Sequence, residues 1–340
     1  MIRRLGFAAL LLLLSFTARA QLDYSAYGTL DVSYGRFENS GFDHKYRINS
    51  NSMSASFVGV QAKYGLDGGW TPGINLETFL RFQDLDYGRN DRDHFLSRNN
   101  FVSLQNNDYG LLRVGRLQTY LFETSTRFNA FGNSTGFSPS LRELFLSGNL
   151  EGVDGDFYWD RAVSYSTPRI ELGQGIGQGN VQGNFMYSLG SGRTKGDYAG
   201  SSVVFSRGLF AASLAAQKVH INDGIEDEVD ELTLQAGATY NFGWARVFGQ
   251  FTRIRDNGRD ARSNISTVGV SVPLGPGNIL AQTAYSTTKG PAIDRRHLNT
   301  SLGYVYHYDT DTDFYVIGMD DRVRHQTRGL SYAIGGRYQF

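Results

Sequence analysis

Hydrophobic and polar residues alternate at period two along much of this chain, most clearly over 329–340. There Leu330, Tyr332, Ile334, Gly336, Tyr338 and Phe340 share one face, and Ser331, Ala333, Gly335, Arg337 and Gln339 share the other. Such alternation marks a strand whose two faces meet different surroundings. The first run, 24–36, repeats it, with Tyr24, Ala26, Gly28, Leu30, Val32 and Tyr34 set against Ser25, Tyr27, Thr29, Asp31 and Ser33. Further β-rich runs fall near 52–64, 71–83, 94–105, 109–117, 157–167, 179–189, 199–206 and 208–219. The others lie near 231–241, 244–255, 263–273, 277–287, 296–308 and 312–319. Counting both ends gives about sixteen strands, an even number of the kind single-chain bacterial barrels use. The pattern predicts an all-β fold: a transmembrane antiparallel β-barrel, apolar outside and wet inside.

The connections sharpen that expectation. Tight turns near 106–110, 206–208, 241–244 and 273–277 alternate with longer polar segments near 37–51, 84–93, 190–198, 220–230, 256–262, 288–295 and 320–328. One barrel end then carries turns and the other loops, which in outer-membrane barrels are periplasmic and external. Residues 118–156 form a connection about twice as long as any other. A loop of that length is usually functional or disordered. Its apolar residues, among them Tyr120, Phe122, Phe128, Phe131, Phe137, Leu141 and Phe145, argue for packing, and a wide barrel offers its inner wall.

The N-terminus supplies the address. Arg3 and Arg4 precede an apolar run over 5–14 and the small-residue site Ala18-Arg19-Ala20. This predicts a signal peptide over 1–20 and a barrel over 21–340, placed in the outer membrane of a Gram-negative cell. The apolar run is too short for a transmembrane helix, which needs about twenty residues. Cleavage would remove three arginines from the 33 basic residues and leave 33 acids, a formal charge of −3. That is no basis for nucleic-acid binding, which shows a clustered basic excess. With no cysteine, disulfides and thiolate metal sites are excluded. Abundant Gly (41), Tyr (20) and Phe (23) beside only 6 Pro suit a barrel with aromatic girdles.

Several blocks, in order, resemble the Gram-negative general-diffusion porins. Ala26-Tyr27-Gly28-Thr29-Leu30-Asp31 is similar to that family's first strand, and Leu66-Asp67-Gly68-Gly69-Trp70 followed by Asn75-Leu76-Glu77 to its second hairpin. Arg98-Asn99-Asn100-Phe101-Val102-Ser103-Leu104, Tyr109-Gly110 and Val114-Gly115-Arg116 resemble the block before its long third loop. Ala162-Val163-Ser164-Tyr165-Ser166-Thr167-Pro168 resembles the strand after it, and Tyr338-Gln339-Phe340 the C-terminal assembly signal. The resemblance implies a sixteen-stranded homotrimer for passive diffusion of small hydrophilic solutes and ions, with no cofactor. It also implies contact with outer-membrane lipid and lipopolysaccharide, and delivery by periplasmic chaperones to the barrel-assembly machinery.

Carried over by position, the resemblance implies a constriction wall at Arg98, Arg81 and Glu77. Thr29, Phe57 and Tyr158 stand where relatives often carry a base. Glu123, Arg127, Arg142 and Glu143 are the corresponding loop charges. The plainer reading of the inward arginines is pairing with wall acids such as Glu77. Aromatics Phe57, Phe79 and Tyr158 leave open a solute-selective channel, and an outer-membrane hydrolase or a filled structural barrel are the readings from other classes.

Other motifs carry less. The glycines over 173–179 resemble a phosphate cradle but lead into a strand pattern, so a flexible turn is expected. Asp309, Asp311 and Asp313 lack the Gly and distal Glu of a calcium loop. The acidic run Glu226, Asp227, Glu228, Asp230 and Glu231 reads as a solvated loop or as a divalent-cation bridge to lipid phosphates. The six histidines show no metal-ligand spacing.

Overall fold

The computed structural model describes residues 22–147, 153–173, 178–190, 196–222, 229–291 and 293–340. The proposed leader, the centre of the 173–179 glycine stretch and Glu226, Asp227 and Glu228 lie outside the described residues. The first strands are β1 (Leu22–Phe37), β2 (Lys45–Asn49), β3 (Phe57–Tyr64), β4 (Thr71–Arg81), β5 (Asp86–Tyr87), β6 (Asn100–Asn106) and β7 (Gly110–Gln118). Next come β8 (Tyr158–Ser166), β9 (Ile170–Leu172), β10 (Gly179–Ser188), β11 (Gly196–Arg207), β12 (Phe210–Ile221) and β13 (Val229–Asn241). The last are β14 (Arg246–Asp256), β15 (Ala261–Leu274), β16 (Gly277–Gly290), β17 (Ile293–His307), β18 (Thr312–Val323) and β19 (Gly329–Gln339). Three of these, β2, β5 and β9, are short spurs in the connections. The other sixteen form a closed antiparallel barrel.

Closure joins β1 to β19, from Thr29 opposite Gln339 to Arg36 opposite Tyr332. At the seam Gly28 and Phe340 exchange backbone hydrogen bonds of 3.0 and 3.2 Å. A side chain at position 28 would not fit. Its Cβ would lie 2.5 Å from the Phe57 carbonyl oxygen and 2.9 Å from the Phe340 ring.

Alternation sorts the faces as the sequence predicts. Val32, Val60, Phe185, Val268, Leu302 and Ile334 are exposed on the outside, while Ser33, Thr233, Gln235, Thr252 and Ser263 are buried inside. A strand needs only about 9–11 residues to cross a bilayer. The 14 residues of β15 and 15 of β17 overshoot it. The segments 256–262, 288–295 and 320–328, expected as longer loops, are therefore partly paired strand ends. β14 and β15 meet across 257–260, and β16 and β17 across 291–292. Their polarity records where the membrane ends, not where backbone pairing ends.

Two expected strands begin late for the opposite reason. The segment 50–56 is drawn onto the inner wall by Asp31, whose carboxylate accepts the Ser52 and Ser54 amides at 3.0 and 3.1 Å and the Tyr315 hydroxyl at 2.9 Å. Residues 94–99 belong to the β4–β6 loop, not to β6.

The long β7–β8 connection lies against inward-facing side chains. Its helix α1 (Tyr120–Arg127) is capped by Thr119, whose side-chain oxygen accepts the Phe122 amide, and contacts β10, β11, β12 and β13. Thr124 donates to Gln235 at 3.0 Å, and Gln250 donates to the Ser125 carbonyl at 2.8 Å. A helical turn at Pro139–Leu141 continues the contact across β15, β16 and β17. Apolar clusters seal it: Phe131 and Phe137 pack with Leu280, Val305 and Ile317, and Leu121, Leu141 and Leu144 with Ala215, Ile254 and Ile265. The inner wall is thus not uniformly polar. It is apolar where the loop rests.

Candidate functional site

The inward row of β4 brings Asn75, Glu77 and Phe79 to one side of the interior. Glu77 is an acceptor hub: it takes the Tyr27 hydroxyl at 2.5 Å and pairs with Arg98, which arrives from the end of the β4–β6 loop. The Arg98 guanidinium lies 3.7 Å from the centre of the Phe57 ring. Delocalised charge over an aromatic face is favourable and leaves the in-plane N–H groups free for a carboxylate. Phe79 meets Tyr158 edge-on at 5.6 Å, and Phe122 of α1 stacks on Phe157 at 4.8 Å. Between this wall and the loop lies a cavity of about 350 Å³, lined by Arg98, Phe79, Tyr158, Phe122, Glu123 and Asn133 among others.

Charge pairing divides the interior in two. Toward the loop end, Arg98 is answered by Glu77, Arg89 by Asp93 and Asp156, and Arg116 by Asp160. Burial alone would lower the Arg89 pKa, but bonds to Asp156 and Asp93 outweigh it and hold the guanidinium above its ordinary value. Toward the turn end Arg337 is answered by Asp313, but Arg113, Arg127 and Arg246 have only neutral hydrogen-bond partners among the described residues. Arg113 donates to Ser164 at 3.2 Å and to the Tyr120 hydroxyl at 3.0 Å. Arg127 donates to Ser206 at 3.2 Å, and Arg246 to Thr239 at 3.1 Å. Crowding by the wall pushes the Arg127 pKa down, and the like charges of Arg169 and Arg246 add to it.

Glu123 stands between the two regions, facing the first cavity and a second one of about 240 Å³ that holds Arg113 and Arg127. Burial raises its pKa, with Arg113 opposing the shift.

A profile of the Gram-negative porins matches residues 7–326 of this sequence. The chain belongs to the Gram-negative porin family. No protein with a curated description matches it. Among solved structures it is similar to the anion-selective porin from Comamonas acidovorans, at 22% identity and a TM-score of 0.75, over 94% of this chain and 100% of that one. It is also similar to the trimer form of OmpT from Vibrio cholerae, at 16% identity and a TM-score of 0.69, over 95% and 100%. Salmonella typhi OmpF in complex with daunomycin follows at 14% identity and a TM-score of 0.66, over 93% and 97%. At these identities the likeness is one of fold. Family and fold together make this porin an outer-membrane channel for passive diffusion of solutes.

Of the residues the resemblance implied, Arg98, Glu77, Phe57, Tyr158 and Glu123 gather around the cavity just described. Thr29 sits beside them, paired in register with Phe57. Four others do not line it. Arg81 is held by Asp84, Asp86 and Asp91 of the β4–β6 loop, because that loop folds back over the end of β4. Arg142 donates to Asn39 at 2.7 Å, across a separate opening beside β1 and β2. Glu143 is buried, accepting Ser286 at 2.6 Å and lying 3.0 Å from His297, whose other ring nitrogen meets Asp321. It anchors the loop. Arg127 faces the turn-side cavity instead.

Residues the sequence reading missed are Asp31, Arg113 and Arg246. Each occupies an inward position of an alternating strand, and that parity was the available signal. Among the glycines, Gly179 is a strand residue paired with both β9 and β11, as a non-cradle reading requires. Asp309 accepts the Asp311 amide at 2.9 Å within a turn, while Asp313 pairs with Arg337.

Proposed function

We propose that the loop over 119–157 sets the size limit of this channel and that permeation passes the cavity beside Arg98. The observation that carries the reading is the loop's double attachment to the inner wall, by α1 on β10–β13 and by Pro139–Leu141 on β15–β17. Sixteen strands leave an aqueous channel, so a segment fixed across it determines what passes. The Arg98–Glu77 pair is close to neutral, and the unpaired turn-side arginines give a weak anion preference. Removal of about ten residues around 131–140 tests the reading in planar bilayers: single-channel conductance should rise and larger solutes should enter. Unchanged conductance with an intact barrel would show that the loop does not limit passage.

Export by the leader over 1–20, homotrimer assembly, contact with lipopolysaccharide, and handling by chaperones and the assembly machinery belong to the same proposal. The trimer form of the similar OmpT structure supports the second of these. A solute-selective channel is favoured by one observation, the run of Phe57, Phe79, Tyr158, Phe157 and Phe122 along the cavity. Saturating, solute-specific current block would distinguish it from simple diffusion.

Catalysis is not part of the proposal. His297 and Ser286 both approach Glu143, but His297 is held between two carboxylates and is 1% exposed, beyond the reach of a substrate.

A further inference from the structure

Residues 50–56, Ser-Asn-Ser-Met-Ser-Ala-Ser, lie between β2 and β3 as a strap on the inner wall and belong to neither strand. One side chain holds the strap. The Asp31 carboxylate accepts three consecutive amides, those of Ser52, Met53 and Ser54, at 3.0, 3.2 and 3.1 Å. Successive backbone N–H groups turned toward one anion make a fixed cradle, and bonds to an ionised acceptor are the strong ones. Asp31 is 0% exposed, so no solute reaches it. Beside it the Ser33 and Ser52 hydroxyls meet at 2.7 Å, and the Asp31 amide donates to the Ser56 hydroxyl at 2.9 Å.

The other side of the strap carries the tip of the long loop. The Ser134 hydroxyl donates to the Ser52 carbonyl, and the Ser54 hydroxyl donates to Asn133 at 3.1 Å. Met53 joins the apolar cluster of Phe131 and Phe137. The two backbones are in close contact: a Cβ at Gly136 would lie 3.0 Å from the Ser52 Cα. Asn51 and Ala55 of the strap and Asn133 and Thr135 of the loop line the same cavity beside Arg98. The strap is thus a third support for the loop, between α1 and Pro139–Leu141.

We propose that Asp31 is a positioning residue of the channel. Through the strap it fixes where the loop tip over 131–137 stands, and so sets the width of the cavity beside Arg98. A functional site keeps its dimensions only when the layer behind it is locked, and here the lock is one carboxylate on three amides. The inference rests on the reading that the long loop limits passage.

The test uses the full barrel in planar bilayers, with heat-modifiable mobility as the check on folding. Asp31→Ala should raise the variance of the open-channel current severalfold and admit solutes that the wild type excludes. In the barrel trimmed over 131–140 the same substitution should add nothing, because two changes on one line of contact are not additive. Covalent rescue separates positioning from general stability. The chain has no cysteine, and Ser33 and Ser52 already touch, so a disulfide in D31A/S33C/S52C ties the same link. Oxidised, that variant should recover wild-type noise and exclusion limit; refolded in reductant, it should behave as D31A. Gly136→Val presses on the strap from the loop side and leaves every strand as it is. It should reproduce the noise, and it carries the test if D31A does not fold. Wild-type currents in D31A, or in Gly136→Val where D31A does not fold, would overturn the proposal. So would a D31A effect that persists in the trimmed barrel, or an oxidised variant as noisy as the reduced one. Trimming that leaves the wild-type conductance unchanged would remove the size-limit reading and this proposal with it, whereas effective trimming beside a silent D31A would remove this proposal alone.

Discussion

At the scale of single residues, selectivity turns on which charges have partners. Arg98 and Glu77 neutralise each other, and Glu77 also accepts the Tyr27 hydroxyl and, through Oε2, the Asn99 amide at 3.3 Å. Arg98→Ser should therefore shift the reversal potential toward cations at low salt, and Glu77→Gln toward anions. The double variant should return close to wild type. A double variant displaced as far as either single would mean that the two do not act as a pair. Arg113→Ser and Arg127→Ser should each shift selectivity toward cations. Screening over a Debye length of about 8 Å at physiological ionic strength should shrink all of these shifts. Glu123 supplies the pH dependence. Its raised pKa means that it takes up a proton as pH falls, above the ordinary Glu value of about 4.3. Protonation removes a negative charge beside Arg113, so anion preference should grow on mild acidification, and Glu123→Gln should abolish that rise. A pH-independent reversal potential in the wild type would contradict this.

At the scale of elements, the loop is held by packing and by one buried charge cluster. Glu143, His297 and Asp321 are each almost fully enclosed. Leaving a buried charge without its partner typically costs about 3–5 kcal/mol. Glu143→Ala should thus free the Pro139–Leu141 end of the loop, and bilayer recordings should show larger or noisier unitary currents. The strands were legible from sequence because alternation is a property of each strand alone. All sixteen runs correspond to strands of the barrel, although 52–64 and 94–105 begin too early. The site was only partly legible. Arg98 and Glu77 lie in two of the sequence blocks that carry the family resemblance, whereas Arg81, Arg142 and Glu143 depend on how two loops fold back. Loop return is decided by contacts distant in sequence, such as Asp84, Asp86 and Asp91 closing on Arg81, or Ser286 meeting Glu143. Charge type alone does not disclose them.

At the scale of the whole molecule, the seam between β1 and β19 makes the barrel one closed object. Phe340 backs Gly28 there, so deletion of Phe340 should lower the folded, membrane-inserted fraction while export continues. Heat-modifiable mobility equal to wild type would count against its part in assembly. The interior is also polar along its axis in the electrical sense. Arg113, Arg127 and Arg246, without an acid partner among the described residues, gather toward the turns, while acids outnumber their cations toward the loops, with Asp84, Asp86 and Asp91 on Arg81 and Asp93, Asp156 and Asp160 on Arg89 and Arg116. A tube with fixed charge of opposite sign at its two mouths is a rectifier. Anions entering at the turn side meet attraction first, whereas those entering at the loop side must pass the acids before reaching it. Currents at equal and opposite voltages should then differ in low salt. Every copy inserted in the same direction would add to that difference rather than cancel it, so a membrane filled by directed insertion would conduct as a diode.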